Sequence, residues 1–204
     1  MKKIPTLFKR VFYDHSIIDI VPVITEGCEE AFKNGLATVK FDGACCAIIN
    51  GKFYKRYDAK KGRKPPKGAI PCCDPDPVTG HWPHWVEVNE NNPADKWFIL
   101  AKSNTEAFLK DPLKDRTYEA VGPHFKANPY GLDEDCIIAH GCLPAKVDRD
   151  FESISNWLNE HEEEGIVFWL NGEPVCKIKR TDFGYEWPVK KRWMLGEKRD
   201  FLDT

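Results

Sequence analysis

Two Asn-Gly pairs constrain this chain more than any other feature of its sequence. Asn50-Gly51 is flanked by Ile48-Ile49 and Phe53-Tyr54, and Asn171-Gly172 follows the apolar run that ends at Leu170. Both central residues of a two-residue hairpin turn need φ > 0, which Asn and Gly tolerate, so each pair marks a tight hairpin. Strands joined in this way are antiparallel. Apolar patterning places strands over residues 36–41, 45–49, 97–101, 116–121, 136–140, 166–170 and 175–179. Helices are fewer. One spans residues 25–34, with Thr25 as cap and Gly35 as stop signal. A capping box, Ser103-Asn104-Thr105-Glu106, opens a second that runs through Lys110. The third starts at Asp150, where Phe151, Ile154, Trp157, Leu158 and His161 recur at helical spacing. Residues 60–92, dense in Pro, Gly, Asp and Lys, read as a long irregular excursion. The expected fold class is α+β, with antiparallel sheets flanked by helices.

Its 204 residues suit a single domain, and 42% hydrophobic residues with 7 Trp, 12 Phe and 6 Tyr exclude a disordered polymer. The longest apolar stretch, residues 44–49, is far short of a membrane-spanning helix, and the basic, broken N-terminus does not make a signal peptide. A soluble chain in a reducing, cytoplasmic compartment is expected, with no membrane and no obligate protein partner. The eight cysteines include no CxxC pair. Cys45, Cys46, Cys136 and Cys176 lie in apolar runs, where a reduced thiol acts as a small hydrophobe. A rival reading is a metal site of Cys72, Cys73, His81 and His84, although that spacing matches no common zinc pattern.

Acids outnumber bases by 32 to 30, so no global basic field announces a polyanion partner. The local distribution differs. Lys52, Lys55, Arg56, Lys60, Lys61, Arg63, Lys64 and Lys67 face only Asp58, and a second cluster holds Lys177, Lys179, Arg180, Lys190, Lys191 and Arg192. Such runs are either solvated surface or phosphate contacts.

Chemistry concentrates at a few points. Lys40-Phe41-Asp42-Gly43 closes a strand, and period-two alternation puts Lys40 and Asp42 on one face. Taken alone, that lysine suits a snorkelling surface residue as well. Arg56 follows on the strand leaving the first hairpin. Tyr118-Glu119-Ala120-Val121-Gly122 sets a carboxylate in a strand that stops at glycine, and Glu164-Gly165 sets another at the mouth of a buried strand. Lys177-Ile178-Lys179 presents two ammonium groups on one face of the last strand. Together these residues suit the turnover of a polyphosphate: cations for phosphate oxygens, carboxylates for a metal or a ribose, and one lysine as nucleophile.

In this order the set resembles motifs I, Ia, III, IV and V of the covalent nucleotidyltransferases, the superfamily of ATP-dependent ligases and mRNA capping enzymes. Lys40-Phe41-Asp42-Gly43-Ala44-Cys45-Cys46, Gly80-His81-Trp82-Pro83-His84-Trp85-Val86, Asn128-Pro129-Tyr130-Gly131-Leu132, Ala139-His140-Gly141 and Lys177-Ile178-Lys179-Arg180 are most similar to the vertebrate-type RNA ligase 1 family. The resemblance implies a nucleotidyltransferase (ATP-grasp-like) domain with its nucleotide in a cleft between sheets. It also implies ATP and Mg²⁺ (Mn²⁺ as a substitute) as cofactors, and RNA 5′-phosphate and 3′-hydroxyl ends as partners. Lys40 would be the nucleophile that carries AMP, its pKa lowered by Lys177 and Lys179, which would also hold the α-phosphate. Asp42, Gly43, Arg56, Glu119, His140 and Glu164 would bind nucleotide: Arg56 on phosphates, Glu119 on the ribose, His140 stacked on the adenine. Asp42 and Glu164 would orient water about the metal. Only 204 − 179 = 25 residues follow Lys179, too few for the oligonucleotide-binding barrel of DNA ligases and capping enzymes. A single RNA-ligase domain over residues 1–204 is expected. A silent RNA- or adenylate-binding module of the same fold, or another polynucleotide ligase or capping-type enzyme, is the alternative.

Overall fold

The computed structural model describes residues 3–14 and 16–189. In chain order its elements are β1 (Phe8–Tyr13), β2 (Ser16–Ile24), α1 (Glu29–Asn34), β3 (Leu36–Lys40), β4 (Ala44–Ile49), β5 (Lys52–Ala59), β6 (Ile70–Pro71), β7 (Trp82–Glu87), α2 (Lys96–Phe108), β8 (Arg116–Val121), β9 (Cys136–Ala139), α3 (Phe151–Glu160), β10 (Gly165–Leu170) and β11 (Glu173–Lys179). All strand pairs within the sheets are antiparallel, so the α+β class holds. Two compact units divide the chain. Among the described residues an inserted unit takes Asp42–His140 with Lys3, and a flanking unit takes the rest, up to Phe41 and again from Gly141. Among the described residues no helix is long and apolar enough to cross a membrane.

The inserted unit is built on a six-stranded sheet in the order β6-β7-β5-β4-β8-β9. Asn50 and Gly51 have φ of 51° and 72°, and Ile49 pairs with Lys52 across them, as the hairpin signal requires. Alternation gives the sheet two faces. Cys46, Ile48, Phe53, Tyr118, Ala120 and Ile137 pack on one face against Trp97, Phe98 and Ala101 of α2. The other face carries Ala47, Tyr54 and Trp85, with Cys45 and Cys72 beside them.

Two expectations fail in this unit. Residues 97–101 are helix, not strand, and the expected capping box lies inside α2 rather than opening it. A short apolar run fits either element, and here the start is set upstream, where the Asn92 side chain accepts from Ala94 N–H and Pro93 takes the first helical position. Two of its polar residues have other work: Thr105 Oγ1 donates to Ala101 O and accepts from Ile137 N–H, while Asn104 Nδ2 donates to Asp135 O. The excursion over 60–92 is only partly irregular, because β7 pairs with β5 from Tyr54↔Glu87 to Ala59↔Trp82. Its Trp-Pro-His-Trp composition hid the strand, since Pro83 has no N–H to give a ladder.

The flanking unit has a three-stranded sheet, β11-β10-β3, and a two-stranded ribbon of β1 and β2. Asn171 and Gly172, at φ of 52° and 81°, make the second hairpin turn. Phe8, Phe32 and Phe168 meet edge-on over a core of Leu7, Ile154, Leu158, Ile166 and Ile178. α3 begins as its pattern predicts, the Asp150 carboxylate accepting from Ser153 N–H at 2.8 Å. α1 starts later than expected, with Cys28 and not Thr25 at the N-cap. The β1–β2 ribbon escaped sequence reading: Pro22 interrupts β2, and bulges break the register. Residues 5–7 run along β11 through Lys177 N–H to Pro5 O and Leu7 N–H to Lys177 O.

Candidate active site

In the flanking unit, register concentrates positive charge at one point. Gly165, the first residue of β10, pairs with Lys40 of β3 on one side and Lys179 of β11 on the other. Glu164, which precedes it, is 3% exposed and gives one carboxylate oxygen to the Lys40 ammonium and the other to the Lys179 ammonium. A Cβ on Gly165 would stand 2.2 Å from Ile178 O, so only glycine allows β10 to approach β11 this closely. Ile178 is wholly buried and sends Lys177 and Lys179 to the opposite face, as alternation predicts. Lys177 is held down at about 8, first by burial and then by the charges of Lys40 and Lys179, with Glu164 opposing them.

The inserted unit orders a different set. Gly43 N–H donates to Glu119 Oε1 at 3.0 Å, and a Cβ there would lie 2.1 Å from Ala120 O. Asp42 N–H donates to the Tyr130 hydroxyl at 2.5 Å. The second Glu119 oxygen is 2.9 Å from His140 Nε2, and His140 Nδ1 is 2.9 Å from Thr117 Oγ1. His140 thus has both ring nitrogens engaged at its edge. Arg56 lies on the face of the sheet that carries Cys45 and Trp85, its guanidinium forked on Asp58, with Nε donating to Oδ1 at 3.1 Å and Nη2 to both oxygens at 3.0 Å. Strand β3 ends at Lys40, so the alternation expected to link Lys40 to Asp42 stops short of Asp42.

Each predicted residue therefore falls into one of two groups. Lys40, Glu164, Lys177 and Lys179 come together in the flanking unit. Gly43, Glu119 and His140 form a hydrogen-bonded chain in the inserted unit, with Asp42 and Arg56 in that unit as well. Sequence reasoning missed Tyr130, Thr117 and Cys45, which hold or adjoin these groups. Tyr130 sits in the Asn128–Leu132 run, closed by Asn128 Nδ2 to Leu132 O and Leu132 N–H to Asn128 Oδ1. A polar ring in so distinctive a run was the available signal.

The basic clusters separate into paired and exposed members. Lys52, Lys55 and Arg56 are ion-paired with Glu87, Asp95 and Asp58, while Lys60, Lys61, Arg63, Lys64 and Lys67 are exposed. Arg180 is structural rather than a free cation: at 6% exposure it donates to Leu158 O and His161 O at the end of α3. Lys190, Lys191 and Arg192 lie outside the described residues. All eight cysteines are free thiols. Cys72, Cys73, His81 and His84 form no metal-ligand group among the described residues, where the trio within reach of one ion is Cys45, Glu119 and His140.

Fold and site define an α+β protein with a lysine-rich cluster about one buried carboxylate and a separate Glu-His pair on a sheet face. Comparison with known proteins is specific. The family model described as RNA ligase 1 matches residues 70–199. The chain belongs to the RNA ligase 1 family. It is 30% identical over 139 residues to RNA ligase 1 of Danio rerio, covering 54% of this chain and 43% of that protein. Against RNA ligase 1 of Pongo abelii and of Rattus norvegicus it is 24% identical over 230 aligned positions, covering 79% of this chain and 71% of each relative. The first match therefore spans less than half the length of the Danio protein.

Proposed function

We propose that the chain is an ATP-dependent RNA ligase with a nucleotidyltransferase fold, joining 5′-phosphate and 3′-hydroxyl ends through lysyl-AMP and adenylylated RNA. The observation that carries this reading is the charge imbalance at Glu164. Lys40 and Lys179 share one carboxylate, and Lys177, beside them, has its pKa lowered to about 8. Three ammonium groups beside one shared carboxylate offer positive charge that a phosphate anion would neutralise. Relatives named RNA ligase 1 support the choice of RNA ends as the anion's source.

In the proposed first step a neutral Lys40 Nζ attacks the α-phosphorus of ATP. The N–P bond forms, the bond to the β-phosphate oxygen breaks, and pyrophosphate leaves. Lys177 and Lys179 hold the α-phosphate oxygens as charge builds on them. AMP then passes to an RNA 5′-phosphate, freeing Lys40, and a 3′-hydroxyl attacks that phosphorus and releases AMP. Glu119 takes the ribose hydroxyls, the face of His140 stacks on the adenine, and Arg56 exchanges Asp58 for phosphate. The exposed lysines between 60 and 67 suit the RNA backbone. Mg²⁺ takes oxygen donors and keeps several waters. Glu164 spends each oxygen on a lysine, so it fits a role through metal-bound water, as Asp42 does by analogy. Bound there, the ion would supply neutralisation of phosphate charge.

The test is incubation with Mg²⁺ and ATP radiolabelled at the α-phosphate. Wild type is expected to take up acid-labile label and Lys40→Ala none. Label on Lys40→Ala would reassign the nucleophile; no label on wild type with Mg²⁺ or Mn²⁺ would sink the ligase reading in favour of a silent binding module.

A further inference from the structure

Cys45, Glu119 and His140 belong to three adjacent strands or their ends. Cys45 of β4 is the direct cross-strand partner of Glu119 of β8, and His140 follows β9, its N–H bonded to Thr117 O. All three face the side of the sheet away from α2. One ligand atom from each lies within 4.8 Å of the others: a thiol sulfur, a carboxylate oxygen and an imidazole nitrogen. We propose that this trio is a binding site for a borderline divalent cation of the zinc class, and that an ion there competes with nucleotide.

The donor set suits such an ion and not Mg²⁺, because thiolate and imidazole favour Zn²⁺ while Mg²⁺ takes oxygen. Bond lengths of about 2.0–2.3 Å place the donors of a tetrahedral zinc site roughly 3.5 Å apart, so small side-chain movements suffice. The ion would replace the hydrogen bond that now joins His140 Nε2 to Glu119 at 2.9 Å. The supporting shell is already built. With Nε2 on the ion, His140 Nδ1 carries the proton and donates to Thr117 Oγ1, the arrangement that fixes the tautomer of metal-binding histidines. Gly43 N–H holds the remaining Glu119 oxygen. Three protein donors leave a fourth position for water, and the ladder of β4, β8 and β9 fixes their spacing better than loops would. Arg56 adds positive charge on the same face, offset by its fork on Asp58.

The competition rests on the proposed roles of Glu119 and His140 toward ATP, so the test separates the two ideas. Metal-free full-length protein, without nucleotide, is titrated with Zn²⁺ against a chromophoric chelator, and with Co²⁺, whose thiolate charge-transfer band reports sulfur ligation. One ion per chain is expected, with at least a tenfold loss of affinity and no cobalt–thiolate band in Cys45→Ser. His140→Phe should likewise lose the ion, Cys73→Ala should keep it, and a large excess of Mg²⁺ should not displace it. Circular dichroism confirms that each variant is folded. Unchanged affinity in Cys45→Ser, loss in Cys73→Ala, or displacement by Mg²⁺ overturns the site. If the ion binds as expected but does not slow labelling by ATP, the competition is wrong. If zinc-free wild type supplied with Mg²⁺ is never labelled, the ligase reading fails and the binding result stands by itself.

Discussion

Lys177 is the residue whose environment costs the fold most visibly. Its folded pKa of about 8 lies below the 10.5 of an ordinary lysine. Between those values the unfolded chain holds more protons than the folded one, so stability rises with pH through the window. Below about 8 both states are protonated and the full penalty applies. Discounted for partial exposure, that penalty is about 1–2 kcal/mol. Lys177→Met should therefore raise Tm at pH 7 by about 3–6 °C, with a gain that shrinks toward pH 10, while self-adenylation falls. A melting series over pH checks it; a Tm that drops at pH 7, or a gain indifferent to pH, would show that burial and the neighbouring lysines do not hold the Lys177 pKa down. At this scale the sequence was informative about charge and blind to partners. Alternation put Lys177 and Lys179 on one face, yet nothing local to residue 164 says that its carboxylate takes Lys40, 124 positions away. The same holds for Tyr130 and Asp42, or Thr117 and His140, where a single hydroxyl fixes a distant group.

Elements were legible where their own residues decide them. The Asn-Gly hairpins, β8, β10 and α3 carry their turn, cap or apolar pattern within the segment. α2 does not, because its start is anchored from another strand. Asp95, 1% exposed, accepts from Asn89 N–H at 3.0 Å and takes the Lys55 ammonium of β5. Removing that carboxylate leaves a backbone donor and a largely covered ammonium unpaired. Asp95→Ala should accordingly destabilise the protein by about 2–4 kcal/mol. Urea unfolding is the measurement, and a loss under about 0.5 kcal/mol would mean that α2 is positioned by its packing on the sheet alone. The β1–β2 ribbon was illegible for a different reason: Phe12, Tyr13, Ile17 and Ile18 are exposed, so no burial pattern marks its inner face.

Over the whole chain, connectivity divides the labour of the proposed reaction. The chain leaves the flanking unit after Phe41 and returns at Gly141. Lys40, the proposed nucleophile, and Lys177 and Lys179, the proposed phosphate ligands, thus belong to one unit, and Glu119 and His140, the proposed ribose and adenine ligands, to the other. Loss of the nucleophile and loss of nucleotide affinity should then be separable. Lys40→Ala removes the atom proposed to carry AMP but leaves Lys177, Lys179 and Glu164 in place, so it should fail to self-adenylate yet still join RNA supplied already adenylylated at its 5′ end. Glu119→Ala leaves Lys40 untouched and removes an acceptor for the ribose hydroxyls, which should weaken ATP binding by about tenfold, the worth of one good hydrogen bond. Calorimetric titration with ATP and a gel assay on adenylylated RNA read the two effects independently. A folded Lys40→Ala that cannot seal adenylylated RNA would place Lys40 in the sealing step as well. A Glu119→Ala that binds ATP as wild type does would remove the Glu-His pair from the nucleotide and leave it to its neighbours in the sheet.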